Sequence, residues 1–411
     1  MVATRDAVDK LVMGRDLTPY PERLVKSTPN SPHVLIVGAG VTGLVTAWVL
    51  LDRGYKVTIL SNGFANFGKQ RLTSQIAGAL WEYPPAVCGS HTDTVSLAHS
   101  KRWCMTAYHA WDKIAADPIV GQAAGVRMME EIRDSGVRGF RHVGTGLVGE
   151  RDVEKSYQVG DAYEVLSPII DTDQAMLWLT SLVLGKGAST VTENIADDLL
   201  DLEEGLLERF GADAIVNATG LSGSTVAGDK TCYPLRGALI RVINDGQDFP
   251  KVEAALTISA DAALDGEIIF LVPRNDNILL IGGVAQPHKG TLDMTLDDPA
   301  IVRMRQRAEK FLPALKNARL DEDYPLAQGL RPCRGKNVRV EREIRRRPGA
   351  DKSSRIVHNY GHGGSGWSLS FGCAADVLDL IEDALRGDEP VPMAESGVVV
   401  CPSCHVHIRS K

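Results

Sequence analysis

The stretch His33-Val34-Leu35-Ile36-Val37-Gly38-Ala39-Gly40-Val41-Thr42-Gly43-Leu44 decides the fold. Residues 33–37 are branched and apolar after the first, which reads as a short, fully buried strand. Three glycines follow at G-x-G-x-x-G spacing. Gly38 permits a tight turn, Gly40 lets the backbone approach a pyrophosphate, and Gly43 lets a helix pack closely on the strand. An apolar helical stretch then runs from Leu44 to Leu51, Gly54 ends it, and residues 55–60 read as a second strand. Strand, glycine turn, helix and strand within about 30 residues form a βαβ layout. The helix N-terminus, with Ala39, Val41 and Thr42 completing the turn, offers N–H groups and a positive dipole end to phosphates. The spacing predicts dinucleotide binding. An acid usually accepts from the ribose about 20 residues further on. Here Ser61 and Asn62 stand at the end of the second strand, able to hydrogen-bond a hydroxyl but uncharged. That departure does not distinguish FAD from NAD.

The rest of the chain gives this unit a large setting. It has 411 residues, 45 Lys plus Arg against 52 Asp plus Glu, and a formal charge of −7. With 24 % charged and 44 % hydrophobic residues it has the balance of a soluble globular protein of two or three domains. The acidic balance argues against a duplex nucleic-acid binder. No run of about 18 apolar residues predicts a membrane span, and residues 1–10 lack an apolar signal core. Seven scattered cysteines do not form a disulfide framework, so a reducing cytoplasm is the expected compartment. Residues 1–31, with Pro19, Pro21 and Pro29, read as an extension that docks on the surface or is partly disordered.

Further strands are expected at 214–217, running into Ala218-Thr219-Gly220, and at 355–359. Between them, residues 252–284 carry strand-like runs separated by polar or glycine turns, which predicts an antiparallel sheet. Nucleotide-binding signals therefore lie toward both ends of the chain.

Four other motifs could carry chemistry, and each has a plainer reading. Arg71-Leu72-Thr73-Ser74-Gln75-Ile76-Ala77-Gly78-Ala79-Leu80-Trp81 sets hydroxyls among small residues, suited to a cofactor or to a turn before a core tryptophan. Gly329-Leu330-Arg331-Pro332-Cys333-Arg334 places a guanidinium beside a rigid proline. It could grip a carboxylate through two parallel hydrogen bonds, or form a surface salt bridge. Gly361-His362-Gly363-Gly364 opens a helix from about Trp367 to Leu385 and aims N–H groups at an anion, or merely starts that helix. His358 and His362 are read as shaping this turn. Cys401-Pro402-Ser403-Cys404-His405, with His407, matches the letters of a haem or half-zinc motif, but has no partner pair and is read as a mobile tail; no metal is expected.

Taken together, these stretches resemble the D-amino-acid oxidase family of flavoproteins, with D-aspartate, glycine and sarcosine oxidases as relatives. The carrying segments are HVLIVGAGVTGL, TSQIAGALW, IVNATG, LRGALIRV, GLRPCRGKNVRVERE and IVHNYGHGGSGWSLSFGCA, in order from residue 33 to about 385. The resemblance implies an α/β fold: a Rossmann-like domain binding FAD non-covalently, and a substrate domain built on an antiparallel sheet. It implies an FAD domain from 32–85, 165–235 and 325–390, a substrate domain from 86–164 and 236–324, an extension at 1–31 and a tail at 391–411. Carried over by position, Gly38, Ala39, Gly40, Val41, Thr42, Gly43, Ser61, Asn62, Arg71, Thr73, Ser74, Ala79, Leu80, Thr219 and Gly220 would contact the cofactor. Gly363, Gly364, Ser365, Gly366 and Trp367 would approach the flavin ring. Arg331 falls where the family clamps the substrate carboxylate, with Phe270, Gly364 and Ser365 beside the reacting atoms.

One departure concerns the substrate. Two family tyrosines in the strand leading to Pro273 are matched here by Phe270 and Gly266, which removes two hydroxyl donors. The expected function is an FAD-dependent oxidase of an amino acid, consuming oxygen and releasing hydrogen peroxide. The substrate is a free D-amino acid or an N-substituted glycine, and a homodimer is an allowed assembly. A nicotinamide-dependent dehydrogenase and a flavin binder without turnover stay open.

Overall fold

The computed structural model describes residues 11–68, 70–81, 94–128, 141–143, 146, 153–154, 163–258, 269–335, 337–349 and 351–393. Gly266 and the cysteine-rich stretch from Cys401 to His407 lie outside the described residues.

Residues His33–Val37 form the centre of a six-stranded sheet. Lys56–Ser61 and then Ser189–Thr192 extend it on one side, all parallel. Ala214–Asn217 and Ile356–Tyr360 continue it in parallel on the other side, and Arg339–Arg342 closes that edge antiparallel. Val37 therefore faces Leu60 on one neighbour and Asn217 on the other. The connections of the first strand and of Ala214–Asn217 lead to opposite sides at this point, the switch position where open α/β sheets bind ligands beyond the strand carboxyl ends.

The first helix, Val41–Asp52, is buried along nearly its whole surface, which its almost uninterrupted apolar sequence allows. It packs between the sheet and the last helix, Gly366–Arg386. The helix Thr94–Ala116 joins the same core. Its Trp111 meets Phe371 edge-on at 5.0 Å, and Trp48 meets Phe371 at 5.4 Å. Helix Thr94–Ala116 thus packs on the last helix within this core. Trp103, Ala107, Trp111 and Ile114 recur at helical spacing and need an apolar partner, which the last helix supplies.

The expected antiparallel sheet is present, in the order Leu256–Ile258, Ile269–Pro273, Ile278–Gly282, Cys232–Ile243, Gln286–Pro287. Leu326–Arg334 pairs along Cys232–Ile243, from Leu326 opposite Ile240 to Arg334 opposite Cys232. This strand belongs to the second sheet. Its other face buries Ile240, Val242, Leu271 and Leu279 with Ile301, Met304 and Phe311 of the helix Pro299–Phe311.

The extension docks from Leu11 onward. The Thr18 carbonyl accepts from Trp48 Nε1 at 3.0 Å, and the amides of Thr18 and Leu24 donate to the Asp52 carboxylate. Asp52 also pairs with Lys186 at 2.7 Å, both side chains being fully buried.

Candidate active site

A cleft of about 510 Å³ runs from the carboxyl ends of the parallel strands to the antiparallel sheet. One wall is the glycine turn. Gly38 has φ +116°, and a Cβ there would lie 2.7 Å from the Ala218 carbonyl carbon, so only a glycine fits. A Cβ on Gly43 would run into the Gly38 carbonyl; this glycine packs beneath the cleft and does not line it. Ala39, Gly40, Val41 and Thr42 face the opening. The first helix has no acidic residue in its first turn and no side-chain cap from Gly40, so its positive end stays available to an anion.

The segment 73–80 forms the opposite wall. Buried Arg274 donates to the carbonyls of Gln75 and Ala77, both at 2.7 Å, and Thr172 Oγ1 donates to Gln75 at 2.6 Å. Thr73 Oγ1 donates to the Leu330 carbonyl, and Ser74 Oγ accepts from the Val41 amide at 3.0 Å. Trp367 Nε1 donates to the Ser74 carbonyl at 2.9 Å, so the last helix holds this wall too. Ala79 and Leu80 also line the cleft.

Arg71 is placed otherwise than the motif suggested. Its guanidinium pairs with Asp173 at 2.6 Å and lies over the Tyr324 ring at 4.1 Å, away from the cleft lining. Ser61 is at the cleft, but its hydroxyl donates to the Gly63 carbonyl at 2.7 Å. Asn62 beside it is exposed. Thr219 lines the floor with Gly220, its hydroxyl donating to Asn217 Oδ1 at 2.8 Å.

At the other end the turn Gly363, Gly364, Ser365, Gly366 and Trp367 meets the Arg331 strand, and all five line the cleft. Gly363 has φ +54°, and its amide donates to the Pro332 carbonyl at 2.9 Å. The last helix likewise has no acidic residue in its first turn. His362 Nε2 is buried without a hydrogen-bond partner, and burial pushes the ring's pKa down to about 3. The imidazole is therefore neutral at ordinary pH, and its Nε2 is enclosed by protein. His358, by contrast, sits in the sheet between Asn217 and Glu343, 3.2 Å from each, away from the cleft.

Arg331 and Phe270 close the cleft on the antiparallel side. The Arg331 guanidinium donates to the Val284 carbonyl at 3.3 Å and meets no carboxylate among the described residues. The Phe270 ring lies against Gly78, where a Cβ would lie close enough to clash. Sequence reasoning missed Glu193, Leu239, Val284 and Ala285, all on the lining. Nothing local marks them, since they reach the cleft only through sheet pairing. Among the described residues no three His, Cys, Asp or Glu side chains gather as a metal site, and no helix is long and apolar enough to cross a membrane.

Residues 33–380 match the family model described as FAD dependent oxidoreductase, abbreviated DAO. The chain is 33 % identical over 358 residues to a D-amino-acid oxidase of Streptomyces coelicolor, covering 85 % of this chain and 96 % of the relative. It is 29 % identical to a D-amino-acid oxidase of Rubrobacter xylanophilus, over 86 % of this chain and 97 % of that one. The fold is similar to the crystal structure of glycine oxidase from Bacillus cereus, with a TM-score of 0.62, 18 % identity, and coverage of 87 % and 98 %. The glycine cradle and two helix N-termini without acidic residues in their first turns suit a dinucleotide, and the family match puts a flavin in place of the nicotinamide alternative. With the match running from the first strand into the last helix, the chain belongs to the FAD dependent oxidoreductase family, and FAD is its cofactor.

Proposed function

We propose that the chain is an oxidase of amino acids that holds the substrate carboxylate on Arg331 and presents the Cα–H to the flavin. The observation that carries this reading is the isolation of Arg331. It is the one arginine or lysine on the cleft lining among the described residues, and no carboxylate there compensates it. A half-buried guanidinium without a counter-ion suits an anion brought by the substrate, and its fork takes a carboxylate through two parallel bonds. Leu239, Phe270 and Val284 form an apolar corner beside it, where lower polarity strengthens that attraction. Bound there, FAD would supply the acceptor for a hydride from the substrate carbon, with oxygen as the final oxidant, reduced to hydrogen peroxide. No side chain has to move a proton if the amine arrives neutral, and the neutral His362 agrees with that. Gly364 and Ser365 line the cleft where the last helix begins and would lie beside the reacting atoms. The imino acid released then hydrolyses in water.

The names of the relatives suit this reading, one a D-amino-acid oxidase and one a glycine oxidase. Phe270 offers no hydroxyl to the carboxylate, which favours substrates that bind through apolar bulk at nitrogen or along the side chain. The thiols of Cys104, Cys333 and Cys373 are buried and are not joined in disulfides, and we place the protein in a reducing cytoplasm as part of this proposal. A peroxide-coupled screen of D-amino acids against N-alkyl glycines tests the proposal. Turnover is expected with bulkier members of either set ahead of D-alanine. A flavin-loaded protein that releases no peroxide with any of them refutes it.

A further inference from the structure

We propose that Glu193 supplies the carboxylate that accepts from the ribose hydroxyls of the adenosine half of FAD. Dinucleotide folds ordinarily place that acid at the end of the second strand, where this chain has the uncharged Asn62. The neighbouring strand compensates. Ser189–Thr192 runs parallel to Lys56–Ser61, with Thr192 opposite Ser61. Asn62 and Glu193 are therefore the next residues at adjacent carboxyl ends, about 4.8 Å apart in strand spacing. The Glu193 amide donates to the Ser61 carbonyl at 2.9 Å, which prolongs the register by one bond. Glu193 is the one carboxylate on the cleft lining among the described residues, at the end that carries Ser61 and Asn62.

Its surroundings suit an acceptor. Arg209 Nη1 and Nη2 donate to the two carboxylate oxygens at 2.8 and 2.6 Å. Those bonds orient the group, hold its pKa below the usual range and leave further lone pairs on both oxygens. The pairing also cancels the negative charge that would otherwise oppose the pyrophosphate of the same cofactor. Ser61 does not compete, since its hydroxyl is already donated to Gly63. The carboxylate has moved one strand outward and brought its own counter-ion.

The test uses Glu193→Gln and Glu193→Ala, with flavin fluorescence as the readout. The rate of FAD release on dilution of the holoenzyme should rise about tenfold, the effect of one charge-assisted hydrogen bond. Stripped protein should rebind FAD about tenfold more weakly in both variants, while FMN, which lacks the adenosine half, should bind as it does to the parent. AMP should compete with FAD for the parent protein more strongly than 2′,3′-dideoxy-AMP, and the variants should not distinguish the two. Unchanged FAD release and affinity would refute the assignment. So would equal weakening of FAD and FMN, or a parent protein that treats the two nucleotides alike; Glu193 would then be a surface partner of Arg209 and nothing more.

Discussion

A Cβ on Gly237 would lie 2.7 Å from Cζ and 2.9 Å from Nη2 of Arg331, so the guanidinium rests on the bare backbone of the neighbouring strand. Gly237 faces Gly329, two residues before Arg331, in the register of Cys232–Ile243 with Leu326–Arg334. The strand cannot retreat, so the end of the arginine must move when a methyl group is added. Gly237→Ala should lower kcat/KM on the order of 100-fold, the usual cost of misplacing a positioning group by about 1 Å. Flavin content should stay at parent level. Steady-state kinetics with flavin absorbance per protein decide it, and unchanged kinetics would mean that the glycine does not set the guanidinium's place.

Removing the guanidinium is the sharper change. Arg331→Leu deletes a two-point contact to a desolvated carboxylate and should cost about 3–5 kcal/mol in kcat/KM, roughly 100- to 1000-fold or more. Arg331→Lys keeps the charge, loses the fork and should recover part of this. Both variants should bind FAD normally.

The Asp52–Lys186 pair has no part in the chemistry and a large part in stability. It is fully buried, and it joins the first helix, the helix Thr172–Gly185 and the docked extension. Lys186→Met leaves the Asp52 carboxylate without its cation and should destabilise the fold by about 3–5 kcal/mol. The double variant Asp52→Asn with Lys186→Met should recover much of that loss in urea unfolding. A double variant as weak as the single would show that the pair itself is required.

Asp229 accepts from Arg334 at 2.6 Å, from Tyr360 at 2.9 Å and from Thr231 at 2.6 Å. Burial alone would raise its pKa; the Thr231, Arg334 and Tyr360 contacts outweigh it and bring the value down to about 2. A carboxylate depressed in the folded state adds stability above its ordinary range and loses it as pH falls through the folded value. Stability should therefore decline between about pH 4 and pH 2. Asp229→Asn should flatten that decline and cost about 1 kcal/mol at neutral pH, since the amide oxygen keeps part of the hydrogen bonding. Thermal melts across that pH range measure both.

The flavin should be held without a covalent bond. Acid precipitation should release all yellow colour to the supernatant, and colour retained in the pellet would contradict this.

The first strand, glycine turn, first helix and second strand were legible in sequence because their contacts join residues within about 30 positions. Gly38 is restricted by its φ of +116° and Gly43 by the Gly38 carbonyl, which a spacing records directly, whereas the Ala218 and Ser74 atoms that close on Gly38 and Gly40 are brought there by the tertiary fold. The Gly361–Gly364 turn and the Leu330-Arg331-Pro332 segment were recognisable separately, but the bond from the Gly363 amide to the Pro332 carbonyl that joins them is tertiary. Arg71 beside a hydroxyl cluster suggests a cofactor contact, and its pairing with a carboxylate 102 residues away is visible only in the fold. Helix Thr94–Ala116 was not read from the sequence, and the last helix that covers its apolar stripe is named by no local pattern. Glu193 is an ordinary acid in a polar segment until Ser189–Thr192 pairs with Lys56–Ser61 and carries it to the cleft. Sequence thus determined the elements whose hydrogen bonds close over a few residues. Tertiary structure decided the partner of each charge, because a charge pairs with whatever folding brings within reach and leaves no periodic trace.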